Sequence, residues 1–275
     1  MSVSPSESAN ELPLDVLHEL DGRLGECLLL GAHARDHIVY DQAGLTKTRS
    51  TNDLDLAFAV ESVEAFVEKT RGLTVSSDTG MRFLVTGRPV DLIPFGTAGS
   101  LVQGVVQVAP GIEMDVTGLS EAFATAAPMG THEWLRLPTL QAMVVLKTVA
   151  WAMRGGSTNK DAVDLGLLLG CVASGAFEDR CYDDSELLGR WDADPELVGS
   201  FLTGRAAAAD LPSATKKCLV HWESELLVNT IGGRSKVQRE HAARLLAAMR
   251  AGATSCASGQ MGSALSPGLV APADR

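Results

Sequence analysis

Two aspartates separated by a single residue are the part of this sequence best suited to chemistry. Asp53 and Asp55 lie in the alternating apolar run Asp53–Val60, and side chains two positions apart on a strand point to the same face. Two adjacent carboxylates repel each other unless a cation lies between them, and Mg²⁺ is a hard cation that prefers carboxylate oxygens. We therefore predict that Asp53 and Asp55 bind Mg²⁺, the alternative being a polar stripe on the solvent side of a strand.

A third carboxylate, Asp91, follows in the short apolar run Val90–Ile93. Three carboxylates on neighbouring strands form a site that can hold two metal ions for phosphoryl or nucleotidyl transfer. We predict two Mg²⁺ ions there, with Mn²⁺ as an alternative metal. On its own, Asp91 is equally consistent with the capping of a turn.

A turn that contains glycine, Gly31-Ala-His-Ala-Arg35, precedes these aspartates. Small residues let the backbone approach a phosphate, and the N–H groups at the start of a helix favour an anion. Arg49 lies four residues before Asp53, where a guanidinium can pair with phosphate oxygens. Both features have plainer alternatives, because glycine also ends strands for steric reasons and Arg49 would otherwise be a solvated loop residue.

A lysine, Lys147, lies on the strongly apolar predicted helix Leu140–Met153. A buried ammonium group is costly unless it is paired. Asp161 and Asp164 share one face of the next predicted helix, at positions i and i+3, so they are candidate partners for Lys147. Lys147 would then either hold the two helices together or reach a substrate phosphate, and we favour a role in the site.

The elements that must position these residues indicate an α+β fold. A strand, a glycine turn, a helix, a loop and the aspartate strand follow one another, which is typical of an α/β opening. Beyond residue 131 the sequence is mostly helical, with Ala and Leu periodicity. We predict a mixed β-sheet with flanking helices, followed by a helical C-terminal region. The predicted divisions are a flexible N-terminus (1–12), a core domain (13–131), a helical domain (132–251) and a disordered tail (252–275).

The composition argues against several classes of protein. The 275 residues include 23 basic and 34 acidic ones, for a net charge of −11, which argues against broad DNA binding because phosphates must be neutralised by clustered Lys and Arg. The five cysteines form no CxxC pair, so we expect reduced thiols and a cytoplasmic protein. The N-terminus lacks the features of a signal peptide, and no apolar run approaches the ~18 residues of a membrane span.

Three motifs together resemble the polymerase-β-type nucleotidyltransferases, and more narrowly the nucleotidyltransferases of the AbiEii/AbiGii toxin family. They are Gly31-Ala-x-Ala-Arg-Asp36, Arg49-x-Thr-x-Asp-x-Asp55 and Val90-Asp-Leu-Ile-Pro-Phe-Gly96. The resemblance continues through Leu146-Lys-x-x-Ala-Trp151 and Lys160-Asp-Ala-x-Asp-Leu165, and it covers residues 25 to 170 well.

This resemblance implies a nucleotidyltransferase fold and the Mg²⁺-dependent transfer of a nucleoside monophosphate from NTP to an acceptor hydroxyl, with release of pyrophosphate. It implies that Asp53 and Asp55 hold both metal ions, and that Asp91 binds the catalytic metal and helps to deprotonate the acceptor. Lys147 and Asp161 match positions near the nucleotide in such toxins, and Lys147 is expected to be catalytic. The implied nucleotide-binding residues are Gly31, Ala32, Arg35, Arg49, Thr51 and Asp161.

The sequence leaves three functions open. The first is a toxin-type enzyme that acts on RNA, for example a tRNA end, or on a protein side chain, and is neutralised by a partner antitoxin protein. The second is an enzyme that modifies a small molecule, as antibiotic nucleotidyltransferases do, and the acidic charge favours it over a large RNA footprint. The third is an inactive nucleotide-binding module, supported by Ala32, which stands where related enzymes commonly carry glycine or serine.

Overall fold

The computed structural model describes residues 12–47, 51, 53–96, 104–109, 112–130, 132–155 and 157–255. In those ranges the chain forms nine strands: β1 (Cys27–Leu29), β2 (Leu54–Ala59), β3 (Thr74–Val75), β4 (Arg82–Val85), β5 (Arg88–Phe95), β6 (Val105–Ala109), β7 (Ile112–Asp115), β8 (Ala127–Met129) and β9 (His132–Leu137). The same ranges contain eleven α-helices: α1 (Leu14–Leu20), α2 (Gly31–Asp36), α3 (Val63–Thr70), α4 (Leu119–Thr125), α5 (Leu140–Arg154), α6 (Lys160–Gly170), α7 (Ser185–Arg190), α8 (Pro195–Asp210), α9 (Pro212–Cys218), α10 (Glu225–Gly232) and α11 (Lys236–Ser255). A π-helical segment, His37–Gln42, extends α2.

Seven of these strands form one mixed sheet, in the order β3-β4-β5-β2-β1-β9-β8. β2 runs parallel to β5 and β1 runs parallel to β9, while the other neighbours are antiparallel. β6 and β7 form a separate two-stranded sheet. The architecture is therefore mixed α and β, which confirms the predicted mixed sheet and the helical region that follows it.

The central strands combine buried apolar residues with one polar position. All three residues of β1 are fully buried, as expected for a strand with a neighbour on each side and both faces covered. In β2, Leu54 and Leu56 are buried while Asp55 between them is only partly covered, because successive side chains point to opposite faces of a sheet. Strand alternation thus places the Asp55 carboxylate at the edge of the core.

The helical region begins at α5, which starts at a capping threonine. The Thr139 hydroxyl accepts a hydrogen bond from the Ala142 N–H at 3.3 Å, which satisfies one of the unpaired N–H groups at the helix start. α5 packs against α6, and Lys147 on α5 faces Asp161 and Asp164 on α6. Lys147 on α5 also acts on Asp55, because its charge lowers the pKa of that carboxyl.

Two predicted boundaries differ from the structure. β9 belongs to the main sheet because it pairs with β1, so the sheet continues past the predicted domain boundary at residue 131. The predicted disordered tail begins four residues too early: α11 continues to Ser255, and Gly252 packs against the backbone of Phe201. The predicted flexible N-terminus, apart from Leu12, and the tail from residue 256 onward lie outside the described residues.

β8 is a short edge strand that the sequence pattern does not predict. β8 has three residues, lies at one edge of the main sheet and contains Pro128, which a strand tolerates at an edge because one side of it needs no hydrogen-bond donor. Within the ranges that the structure describes, no helix combines the length and the apolar character that crossing a membrane requires.

Candidate functional site

Three charged residues lie in one row across neighbouring strands of the main sheet. Asp55 on β2 is opposite Asp91 on the parallel strand β5, and Asp91 is opposite Arg82 on β4. Asp53 precedes Asp55 by two positions, and its Oδ2 lies 3.6 Å from Nη2 of Arg82. The structure therefore brings together Asp53, Asp55 and Asp91, the three carboxylates that the sequence singles out. We call these three residues the carboxylate row.

The Asp55 carboxylate is in an environment that disfavours its charge. Burial raises the pKa of Asp55 to about 7; the charge of Asp91 and a hydrogen bond with it add to the rise, and the charge of Lys147 opposes it. Two carboxylates at close range share a proton or accept a cation, because both cannot ionise freely. The pair is suited to bind a positive ion.

Gly31 lies directly against the Asp55 carboxylate. Its φ of +61° is in the left-handed region, which residues with a side chain rarely adopt. A Cβ at this position would also overlap with the carboxylate of Asp55. The Leu30 N–H donates a hydrogen bond to the Asp55 carbonyl at 2.8 Å, which fixes the turn to β2. Two separate constraints therefore require glycine where the sequence predicts a nucleotide-binding turn.

Arg82 is a site residue that the sequence motifs do not reveal. Its Nε and Nη2 each donate a hydrogen bond to one oxygen of Asp91, both at 2.7 Å. Its position follows from the hairpin turn between β4 and β5, where Thr86 and Gly87 have the positive φ angles, 50° and 81°, that a two-residue turn of type I′ requires. A turn centred there places residue 82 opposite residue 91.

The donor set of the site suits Mg²⁺, since it consists of carboxylate oxygens. As the side chains stand, no group of three acidic, His or Cys residues in the described part of the chain surrounds a point where an ion would lie. Both oxygens of Asp91 are bonded to Arg82. The Arg82 guanidinium is thus a cation that lies among these carboxylates.

A buried ion network lies on α5 and α6, next to Asp55. Lys147 Nζ donates hydrogen bonds to Asp164 Oδ2 at 2.7 Å and to Asp161 Oδ1 at 3.3 Å. Both aspartates are almost fully buried: Asp161 is 1% exposed and Asp164 is 3% exposed. Because Lys147 also lowers the pKa of Asp55, it is the electrostatic connection between the network and the carboxylate row. Its placement agrees with the predicted pairing to these two aspartates.

Arg154 is the end of this network that reaches the surface. Its Nε and Nη2 donate hydrogen bonds to the two oxygens of Asp161, at 2.6 and 3.0 Å, and its side chain is 57% exposed. Burial alone would raise the pKa of Asp161, but the bonds from Arg154 and the charge of Lys147 hold that pKa below its usual value. The hydrogen bonds to Asp161 raise the pKa of Arg154, and the charge of Asp55 adds to that rise.

Arg35 differs most from its predicted role in nucleotide binding. It is fully buried, and it donates hydrogen bonds to Asp36 at 2.8 Å and to Asp164 at 2.5 Å. Lys47 Nζ lies 3.4 Å from the far oxygen of Asp36. Since no part of the guanidinium is exposed, we correct the role of Arg35 from nucleotide contact to the extension of the buried network.

The remaining predicted residues lie beside the carboxylate row or beyond the described chain. Ala32 follows Gly31 and is partly buried. The Thr51 hydroxyl accepts a hydrogen bond from the Asp53 N–H at 3.4 Å, so Thr51 helps to fix the backbone of Asp53. Arg49 lies outside the described residues.

Comparison with known proteins returns no relative: no family model, no curated protein and no solved structure matches the chain. A functional assignment therefore rests on the residues of the site and on their arrangement.

Proposed function

We propose that this chain is a metal-dependent nucleotidyltransferase that moves a nucleoside monophosphate from NTP to an acceptor hydroxyl. The observation that supports it best is the position of Asp55 opposite Asp91 on parallel strands, with Gly31 against the Asp55 carboxylate. The carboxylates offer oxygen ligands to a metal, and a glycine turn beside them lets a phosphate approach the backbone. The nucleotidyltransferase fold is part of the same proposal.

The carboxylates and the acceptor have defined roles in the proposed reaction. Asp53, Asp55 and Asp91 would hold Mg²⁺, or Mn²⁺, which would supply positive charge to the phosphates and activate the acceptor oxygen. The acceptor oxygen forms a bond to the α-phosphorus of NTP, the bond from that phosphorus to the β-bridging oxygen breaks, and pyrophosphate leaves with the electron pair. Asp91 accepts the proton of the acceptor hydroxyl, as a general base does.

Two cations of the ion network serve the triphosphate differently. Lys147 is only 9% exposed and is held by two aspartates, so we assign it a positioning role, in which its charge balances that of Asp55. Arg154 is held by Asp161 along one edge and is exposed along the other. A guanidinium that is fixed in this way is well suited to bind phosphate oxygens, so Arg154 is our candidate for direct contact.

The identity of the acceptor separates two versions of this function. A toxin-type enzyme would modify RNA, such as a tRNA end, and would be neutralised by an antitoxin protein. An enzyme of the antibiotic-modifying type would act on a small molecule. The net charge of −11 favours the small acceptor, because a long RNA would be repelled by an acidic surface.

The experiment that tests the function is nucleotide transfer from the four α-labelled NTPs, with Mg²⁺, to total RNA and to a panel of small molecules. Asp55→Asn removes one carboxylate of the row and should abolish transfer. Asp78→Asn is the matched control, because Asp78 is exposed in the turn before β4 and should leave transfer unchanged. Equal transfer by the wild type and Asp55→Asn would exclude the proposed mechanism.

The third function, an inactive nucleotide-binding module, requires a different measurement. A ligand that binds only the folded state raises the melting temperature. Stabilisation by Mg²⁺-ATP without any transfer product would favour this module, and the absence of both would argue against a nucleotide site.

A further inference from the structure

We propose that Arg82 is an internal cation that occupies the carboxylate site in the absence of a divalent metal and must leave it before Asp91 can bind one. This inference rests on the proposed function, because it concerns the same carboxylates. It assigns to Arg82 control over metal binding.

The contacts of Arg82 compete directly with those of a metal ion. The guanidinium uses both oxygens of Asp91 at 2.7 Å and lies 3.6 Å from Oδ2 of Asp53. It therefore bridges two of the three carboxylates from which a metal ion would take its ligands. A divalent ion and a guanidinium at the same carboxylates would repel each other at short range, so occupancy by one disfavours the other.

The surroundings of Arg82 allow its side chain to move without a change in the fold. Arg82 is 39% exposed, while the next residue on β4, Phe83, is buried and holds the strand in place. The Arg82 carbonyl accepts a hydrogen bond from the Ser76 N–H at 2.8 Å. The backbone is therefore fixed on both sides, and only a long, flexible side chain has to rotate toward solvent.

The removal of Arg82 would change metal affinity in one direction if Arg82 competes with the metal and in the other direction if Arg82 only orients Asp91. If Arg82 merely oriented Asp91 for metal binding, its removal would loosen Asp91 and weaken the binding of a metal. If Arg82 competes for Asp91, its removal frees both oxygens and strengthens metal binding. The sign of the change in metal affinity thus distinguishes the two roles.

The test is a titration of the full chain with Mn²⁺ alone, in which free Mn²⁺ is measured by electron paramagnetic resonance at neutral pH. We expect Arg82→Gln to bind Mn²⁺ at least about fivefold more tightly than the wild type, since a charge-assisted pair no longer has to be broken. Arg82→Lys keeps the charge but loses the bidentate geometry, so its affinity should fall between the two.

Arg88→Gln is the matched control on the same hairpin. Arg88 is exposed, and its partner is Asp15, at 3.6 Å, so its removal should leave Mn²⁺ affinity unchanged. Urea unfolding of each variant establishes that it is folded, and if Arg82→Gln does not fold, Arg82→Lys carries the comparison.

The outcomes separate this inference from the proposed function. Wild-type binding of Mn²⁺ that Asp55→Asn abolishes, together with unchanged or weaker binding by Arg82→Gln, would overturn the role of Arg82 and leave the metal site in place. If neither the wild type nor Arg82→Gln binds Mn²⁺, the role of Arg82 and the proposed metal-dependent function are both overturned.

Discussion

Asp55 and Asp91 lie opposite each other on the parallel strands β2 and β5, and burial together with the charge of Asp91 raises the pKa of Asp55. Because the two strands are held in register by their ladder, neither carboxylate can withdraw from the other by a shift of the backbone. Groups whose pKa is strongly perturbed by burial and by a like charge are found preferentially at functional sites. This pair therefore connects the acid–base behaviour of the site to the stability of the fold.

The stability of the metal-free protein should depend on pH through Asp55. Its pKa is about 7 in the folded state, above the value of about 3.9 in an unfolded chain, so the folded state binds the proton more tightly. The stabilising contribution is fully present below the unfolded pKa and is lost as the pH rises through about 7. At about 1.4 kcal/mol per pKa unit, the loss is a few kcal/mol at most.

Urea unfolding in EDTA at pH 5 and pH 8 checks this expectation. Asp55→Asn cannot ionise, so the free energy of unfolding of the variant should exceed that of the wild type at pH 8, and the difference should shrink at pH 5. The comparison with the variant is needed because carboxylates such as Asp161, whose pKa is lowered, give the opposite pH dependence. A difference that is the same at both pH values would contradict the assigned pKa of Asp55.

Gly31→Ala should damage the site beyond the cost of backbone strain. Gly31 and Gly22 both have positive φ, +61° and +72°, so alanine at either position should cost about 1 kcal/mol of stability from strain. Only at position 31 does the new Cβ meet another group, the Asp55 carboxylate, whereas nothing lies within 4 Å at Gly22. We expect Gly31→Ala to lose Mn²⁺ binding and Gly22→Ala to retain it, as measured by the same titration.

Residues with local signals were placed well from the sequence. The alternation of β2 places Asp55 between the buried Leu54 and Leu56, and the i, i+3 spacing on α6 puts Asp161 and Asp164 beside Lys147. Both patterns depend on the geometry of a single element. The positions of these aspartates within their own elements therefore follow from the sequence.

Residues whose environment depends on distant parts of the chain cannot be placed from local sequence patterns. The burial of Arg35 is set by Asp164, which is 129 residues away in the sequence, and the pairing of β9 with β1 is also long-range. Arg82 is absent from the motifs for a different reason: its position opposite Asp91 depends on the register of the hairpin that turns at Thr86 and Gly87. A slip in register changes which residues face each other.

Lys147 should contribute more to stability than its single charge suggests. Lys147→Met leaves the buried Asp161 and Asp164 with one partner fewer each, and breaking a buried ion pair typically costs about 3–5 kcal/mol. Lys160→Met is the matched control, because Lys160 is exposed at the start of α6 and should cost less than about 0.5 kcal/mol. Equal losses for the two variants, measured by urea unfolding, would show that the network around Lys147 is not a source of stability.

Arg154→Gln should weaken nucleotide binding with a smaller loss of stability than Lys147→Met. Arg154 is 57% exposed, so solvent screens its pair with Asp161, while Lys147 continues to neutralise Asp161 from the buried side. If the exposed edge of the guanidinium binds the triphosphate, its loss should raise the KM for NTP by about tenfold and change kcat less, as expected for a charge-assisted contact made in the ground state.

Calorimetric titration with Mg²⁺ and a non-hydrolysable NTP analogue provides a readout that does not depend on turnover. Arg234→Gln is the control, because Arg234 is exposed between α10 and α11 and should bind the analogue as the wild type does. Unchanged affinity in Arg154→Gln would mean that Arg154 serves only to pair with Asp161. The triphosphate would then depend on the backbone at Gly31 and on the metal ions for its charge compensation, because Lys147 and Arg35 are already committed to buried aspartates.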